Sequence, residues 1–193
     1  DLLNASAPLT IMLLKGVHLA KYVYPNISLR GMQDVDILVH RADAERVADC
    51  LQQMGYTISD DDRAWYWNHH YHWHFTPPTS KHPLIELHWH VKQPEHPLQF
   101  PLDWIWQESK TVKLTGHAVQ VMSAEILLLY LAWHSVRHQW QLGIKPLIDI
   151  TVLLQREVLN WEIVKGRATQ LGIAKQLALM LHIIRDWFDV SLP

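Results

Sequence analysis

Cysteine is nearly missing from this 193-residue chain: Cys50 is the only one. A disulfide within the chain is therefore excluded, and so is a zinc centre built on cysteine. A reducing, cytoplasmic setting is the simplest expectation. A basic excess is missing too. The 17 Lys and Arg residues face 19 Asp and Glu, for a formal charge of −2, so the clustered positive charge of a nucleic-acid binder is not there. No apolar run approaches the ~20 residues of a membrane span; the longest, Ile126 to Trp133, stops at His134. The sequence has no signal-peptide pattern, no internal repeat and no low-complexity stretch. It begins at Asp1 without a methionine and ends at Pro193 just after a helical pattern, which fits a trimmed chain. What the chain does have is core and histidine. Hydrophobic residues make up 49% and charged residues 19%, which supports a packed domain and argues against disorder. The length suits one domain, or one with a smaller partner. The 14 histidines are enough to change the sign of the net charge on mild acidification.

The most informative stretch is Leu29 to Val39. Val35, Ile37 and Val39 alternate with Asp34, Asp36 and Leu38, the period-2 pattern of a strand, so both aspartates share one face. Two carboxylates that close repel each other unless something positive lies between them. A hard divalent cation such as Mg²⁺ answers this, because it takes oxygen ligands and is often held by one or two carboxylates plus substrate phosphates. The alternative is an exposed strand end with two solvated aspartates. Two further strands are expected. In Trp65 to Phe75, alternation puts Trp67, His69, Tyr71, Trp73 and Phe75 on one face and His70, His72 and His74 on the other. In Leu84 to Val91, Ile85, Leu87, Trp89 and Val91 share one face, and Glu86, His88 and His90 the other. If the three strands lie in one sheet, their polar faces line one cleft.

The remaining elements follow from period and punctuation. Leu9 to Leu14 reads as a buried strand or a helix start. Lys15-Gly16 follows it, then a helical pattern over Val17 to Tyr24 that Pro25-Asn26 ends. Gly16 is where a backbone could approach a phosphate, with Lys15 as a point charge; a strand-to-helix turn with a solvated lysine is the alternative. Asp43 to Met54 reads as a helix with the apolar stripe Ala44, Val47, Ala48, Leu51 and Met54, capped by Gly55. Tyr56 to Ile58 is a strand, Asp60 to Asp62 a solvated turn, and Pro101 to Ser109 a short helix. Thr111 to Leu114 and Ala118 to Met122 form a hairpin around Thr115-Gly116. Helices follow at 123–138, with Ser123 as N-cap, and at 145–156, 160–171 and 173–189, broken at Gly143, Asn160 and Gly172. Within them His134 and His138 share a face, as do Lys145 and Asp149, the latter pair at salt-bridge spacing. Residues 1–122 are thus expected to be an α/β core and residues 123–193 a helical domain.

Leu14-Lys15-Gly16, Tyr24-Pro25, Arg30, Asp34-Val35-Asp36-Ile37-Leu38-Val39, Gly55-Tyr56 and Ile85-Glu86-Leu87-His88-Trp89 together resemble the uncharacterised nucleotidyltransferase-like family of the DNA polymerase β superfamily. His134 and Pro146-Leu147-Ile148-Asp149 resemble its helical part. The resemblance implies an α/β (α+β) fold, a mixed β-sheet with flanking helices followed by a C-terminal helical segment. It implies transfer of a nucleoside monophosphate from an NTP to an acceptor, with release of pyrophosphate and with Mg²⁺ or Mn²⁺ as cofactor. Asp34 and Asp36 would hold the metal on the triphosphate. Glu86 would be the third carboxylate, completing a second metal site or taking the acceptor's proton. Lys15, Gly16 and Arg30 would cradle or neutralise phosphates. His88 and His134 are further candidates, with His134 expected to face the carboxylates. The wider superfamily usually has Gly-Ser or Gly-Gly before the aspartate strand at a shorter interval; here Gly16 is followed by Val17.

Two other readings stand beside this one. The first is a non-catalytic nucleotide- or protein-binding domain of the same fold. The second is a transition-metal site on His70, His72, His74, His88 and His90, imidazole being a common ligand. The acceptor is open between a sugar, an antibiotic-like hydroxyl compound, a protein side chain and RNA, with the low positive charge against RNA. No membrane association is expected, and the oligomeric state is not legible.

Overall fold

The computed structural model describes residues 9–58, 63–93, 95–138, 141 and 143–192; the acidic triplet Asp60 to Asp62 lies outside them. In chain order the elements are β1 (Met12–Leu13), α1 (Lys15–His18), β2 (Asp34–Leu38), α2 (Ala44–Gln53), β3 (Thr57–Ile58), α3 (Arg63–His69), β4 (His72–Thr76) and β5 (Leu84–His88). They continue with α4 (Leu102–Gln107), β6 (Ser109–Leu114), β7 (His117–Met122), α5 (Ala124–Arg137), α6 (Lys145–Arg156), α7 (Trp161–Gln170) and α8 (Ala174–Phe188). The chain divides into two compact units that interleave in sequence. The first holds residues 1–18, 31–96 and 109–121; the second holds 19–30, 97–108 and 122–193.

The first unit is built on a seven-stranded mixed sheet of order β3-β4-β5-β2-β1-β7-β6. β2 runs parallel to β5 and antiparallel to β1, while β4 runs antiparallel to β3 and β5. As a central strand β2 is buried on both faces. Ile37 and Leu38 belong to the core and Asp36 is only 1% exposed, so Asp36 is not a solvated strand end, whereas Asp34 at the start of the strand is half-buried. In α2, Ala44, Val47, Ala48 and Leu51 are fully buried, as their spacing predicts, but Met54 sits at the helix end and is exposed. Gly55 takes φ +87° there, which glycine adopts at little cost. The β6–β7 turn has φ 49° at Thr115 and 91° at Gly116, the positive pair that matches hairpin twist.

The expected strand over Trp65 to Phe75 is half wrong. Residues 63–69 are helical and only 72–76 are extended. Nearly every position there is aromatic or histidine, so period 2 and period 3.6 are met equally well. The helix is supported by contacts at helical spacing: Trp65 stacks on His69 with ring centroids 5.1 Å apart, and Tyr66 lies 4.8 Å from His70. Trp67 packs on Trp73 and Trp89. His90 likewise falls beyond the end of β5, where its Nδ1 accepts from the Val91 amide.

The second unit is helical. α5 is buried on every side from Ile126 to Trp133, as expected of a central helix, and α6, α7 and α8 pack against it. Ser123 caps α5 by accepting from the Ile126 amide, and Asn160 caps α7 by accepting from Glu162 and Ile163. Gly143 and Gly172 have positive φ at the breaks between helices. Leu19–Val23 forms a π-type turn, with the Tyr24 amide donating to the Leu19 carbonyl.

A buried ion pair ties this segment to α6. Arg30 donates from Nε and Nη2 to the two oxygens of Asp149, each at 2.9 Å, and the Tyr24 hydroxyl donates to Asp149 Oδ1 at 2.7 Å. Burial and then the hydrogen bond to Asp149 push the Tyr24 hydroxyl well above the usual phenol range. Removing one partner of such a pair strands a buried charge. Asp149→Ala is therefore expected to lower the unfolding free energy by about 3–5 kcal/mol, measured by urea denaturation. An unchanged urea midpoint would show the pair to be dispensable.

Candidate active site

Strand register assembles the candidate site from three neighbouring strands of the first unit. In the parallel β2–β5 pair, Asp34 lies opposite Leu84 and Asp36 opposite Glu86. In the antiparallel β4–β5 pair, His74 lies opposite Glu86 and His72 opposite His88. Side chains directly opposite share a face, so Asp36, Glu86, His88, His72 and His74 all project to one side of the sheet.

Hydrogen bonds then knit these residues into a row. Lys15 Nζ, at the start of α1, donates to Asp36 Oδ2 at 2.8 Å. His88 Nε2 stands 3.3 Å from Asp36 Oδ1 and 3.2 Å from Glu86 Oε2. On the far side of Glu86, His74 Nε2 lies 3.4 Å from Oε1, and His72 Nε2 lies 3.0 Å from His74 Nε2. One ligand atom each from Asp36, Glu86 and His88 fall within 4.8 Å of one another, and so do those of His72, His74 and Glu86.

Buried carboxylates are tolerated only when compensated, and the titration behaviour reflects the compensation. Burial by itself would raise the Asp36 carboxyl, but Lys15 and then His88 hold it low. Burial would raise Glu86 as well; hydrogen bonds from His74 and His88 hold it well below the carboxylate range. Burial disfavours a charged His88, yet its bonds to Asp36 and Glu86 raise its pKa above the usual imidazole value. Asp34 behaves differently. It is half-buried, and burial followed by repulsion from Asp36 and Glu86 raises its carboxyl, with Lys15 opposing. The negative potential at Asp34 is thus only partly neutralised by the protein, and a divalent cation on oxygen ligands would relieve it. Among the described residues, the ligand atoms that come within 4.8 Å of one another here are those of Asp36, Glu86 and His88, without Asp34.

Of the residues singled out in the sequence, Lys15, Asp34, Asp36, Glu86 and His88 share this neighbourhood. Gly16 is buried in α1 beside Lys15. Arg30 belongs to the second unit, where its Nε and Nη2 are engaged by Asp149. His134 also belongs to the second unit, on α5, with its ring 4.4 Å from that of His138. The contact of Lys15 with Asp36 is not legible in the sequence, because lysine after an apolar run carries no sign of its partner.

Solved structures share this architecture. An antigenic nucleotidyltransferase-like protein from Paracoccidioides brasiliensis is 16% identical, over 95% of this chain and 83% of that one, with a TM-score of 0.59. The antibiotic-resistance factor ANT(2'')-Ia, in complex with adenylyl-2''-tobramycin, is 11% identical, over 93% of this chain and 89% of that one, with a TM-score of 0.51. Its solution structure, at 10% identity, gives 0.50 with 94% and 84% covered. At these identities the likeness establishes the fold, the nucleotidyltransferase-like mixed sheet with flanking helices. No curated protein sequence matches the chain. The family described as "Uncharacterised nucleotidyltransferase" matches residues 3–189, nearly the whole chain, and the protein belongs to that family.

Proposed function

We propose that this protein transfers a nucleoside monophosphate from an NTP to a hydroxyl-bearing acceptor, at the face of β2 and β5 that carries Asp34, Asp36 and Glu86. The observation that carries the reading is the Asp36–Glu86 cross-strand pair, with the under-compensated Asp34 one step along the same face. In the reaction the acceptor hydroxyl gives up its proton to solvent, its oxygen bonds to the α-phosphorus, the bond from that phosphorus to the bridging oxygen breaks, and pyrophosphate leaves with the electron pair. Asp34, Asp36 and Glu86 would hold a divalent ion, which when bound would supply charge neutralisation for the triphosphate. The chain's own residues do the rest. Asp34 and Asp36 would hold the ion at the nucleotide end, and Lys15, whose ammonium lies 2.8 Å from Asp36 Oδ2, would offer its charge to a phosphate oxygen. Glu86, held low in pKa by two imidazoles, orients the acceptor side as an anion.

A small molecule or a protein side chain is the acceptor class we favour. The formal charge of −2 offers no electrostatic track for RNA. ANT(2'')-Ia is a structural neighbour seen with adenylyl-2''-tobramycin, which supports a small-molecule acceptor only through the shared fold. A second reading, a binding module without turnover, draws on one observation: Asp36 already holds Lys15 and His88. The two separate on incubation with α-labelled NTPs, Mg²⁺ or Mn²⁺, and fractionated lysate. A labelled acceptor that appears only with protein and metal supports transfer. Bound NTP with no labelled product in any fraction supports the module.

A further inference from the structure

We propose that His72, His74 and Glu86 form a binding site for one transition-metal ion of the zinc class, beside but distinct from the carboxylates Asp34 and Asp36. The inference shares Glu86 with the proposed active site and does not otherwise depend on nucleotidyl transfer.

The donors stand on rigid backbone. His74 and Glu86 are a direct cross-strand pair, and His72 is the next residue of β4 on the same face. Zinc–nitrogen bonds of 2.0–2.1 Å in a tetrahedron require neighbouring ligand atoms to lie about 3.3 Å apart. His72 Nε2 to His74 Nε2 is 3.0 Å and His74 Nε2 to Glu86 Oε1 is 3.4 Å, so two of the three ligand edges are close to that length, and the third lies within 4.8 Å. Proton counting points the same way. Two Nε2–H groups cannot face each other at 3.0 Å, so at least one of the two imidazoles presents a bare nitrogen lone pair next to the carboxylate. A cation would take a lone pair from each Nε2, with both rings in the Nδ1–H form, and from the Glu86 oxygen.

The His72 ring is locked in place by neighbouring rings, with centroids 4.3 Å away at Tyr71, 4.6 Å at His70 and 4.8 Å at His88. His74 and Glu86 are only partly covered, with side-chain exposures of 35% and 21%, and they leave an ion a path from solvent. Two imidazoles among three ligands select a borderline metal over Mg²⁺, and three protein ligands leave a tetrahedral ion one open position. The competing account is an ordinary histidine pair hydrogen-bonded to a glutamate.

The test uses the full chain, stripped with EDTA, freed of chelator, and titrated with Co²⁺ and then Zn²⁺ in the absence of nucleotide. The expected result is one Co²⁺ per chain, with the intense visible absorption of a tetrahedral ion, displaced by one Zn²⁺ and undisturbed by excess Mg²⁺. His74→Ala and His72→Ala should each weaken Zn²⁺ binding by more than about tenfold, and Asp34→Asn should leave it unchanged. His74 is the outer ligand, so His74→Ala is the variant that keeps the fold, as circular dichroism would verify. The absence of a tetrahedral Co²⁺ spectrum overturns the proposal. So does Zn²⁺ affinity that His74→Ala leaves intact, or that Asp34→Asn lowers as much as His74→Ala does. No readout involves NTP, so failure of nucleotidyl transfer and failure of this site are seen separately.

Discussion

Asp36→Asn is expected to lose both nucleotide binding in the presence of Mg²⁺ and all detectable product formation. The reason lies in what Asp36 faces. Its two oxygens are the acceptors for Lys15 and His88, and on the proposed reading the same oxygens hold the metal of the metal–triphosphate. That ion is needed in the ground state and in the transition state alike, so its loss removes uniform binding and catalysis together. The substitution also unbalances a buried row of charges. With Asp36 neutral, His88 keeps only Glu86 as an anionic partner, and its raised pKa should fall. Thermal unfolding of the variant has to accompany the activity assay. A folded Asp36→Asn protein that still binds NTP·Mg²⁺ as the unmutated chain does would remove Asp36 from the nucleotide site.

Glu86→Gln should separate binding from turnover. Glu86 lies between His74 and His88; on the proposed reading it serves the acceptor, and its interaction with the acceptor strengthens as charge develops. Product formation should fall by ~10²-fold or more, while NTP·Mg²⁺ affinity changes by less than about tenfold, on the order of 1.4 kcal/mol. Calorimetry for binding and product counting for turnover, on the same preparations, make the comparison. Parallel losses in the two quantities would place Glu86 on the nucleotide, and equal activity would place it outside the chemistry.

The parts of the fold legible in the sequence are those where one period prevails. The alternation of Asp34 to Leu38 and of Leu84 to His88 gave both strands and their polar faces, and Ser123, Asn160, Gly143 and Gly172 punctuated the helices where the chain turns. The stretch from Trp65 misled because aromatic rings and imidazoles occupy nearly every position, so no periodicity could choose between helix and strand; ring stacking decided it. Which strand neighbours which was not local information. That Asp36 sits beside Glu86, and Glu86 beside His74, follows from a sheet order that alternation does not encode. The same holds for Asp149. Its spacing suggested Lys145, one helical turn away, whereas Arg30 and Tyr24 come to it from 119 and 125 residues earlier in the chain. The two histidines that now matter most, His72 and His74, were visible as one face of a strand. Their nitrogens meeting at 3.0 Å depend on rotamers fixed by the rings of Tyr71 and His88.

The most direct test of nucleotidyl transfer at these carboxylates is acceptor-dependent release of pyrophosphate from NTP in the presence of Mg²⁺ or Mn²⁺, comparing the unmutated chain with Glu86→Gln and Asp36→Asn. The account predicts release in step with labelled acceptor for the unmutated protein, at least about a hundredfold less for Glu86→Gln, and none for Asp36→Asn. Release that all three proteins support equally, or NTP binding by the unmutated chain without pyrophosphate from any acceptor fraction, would contradict it.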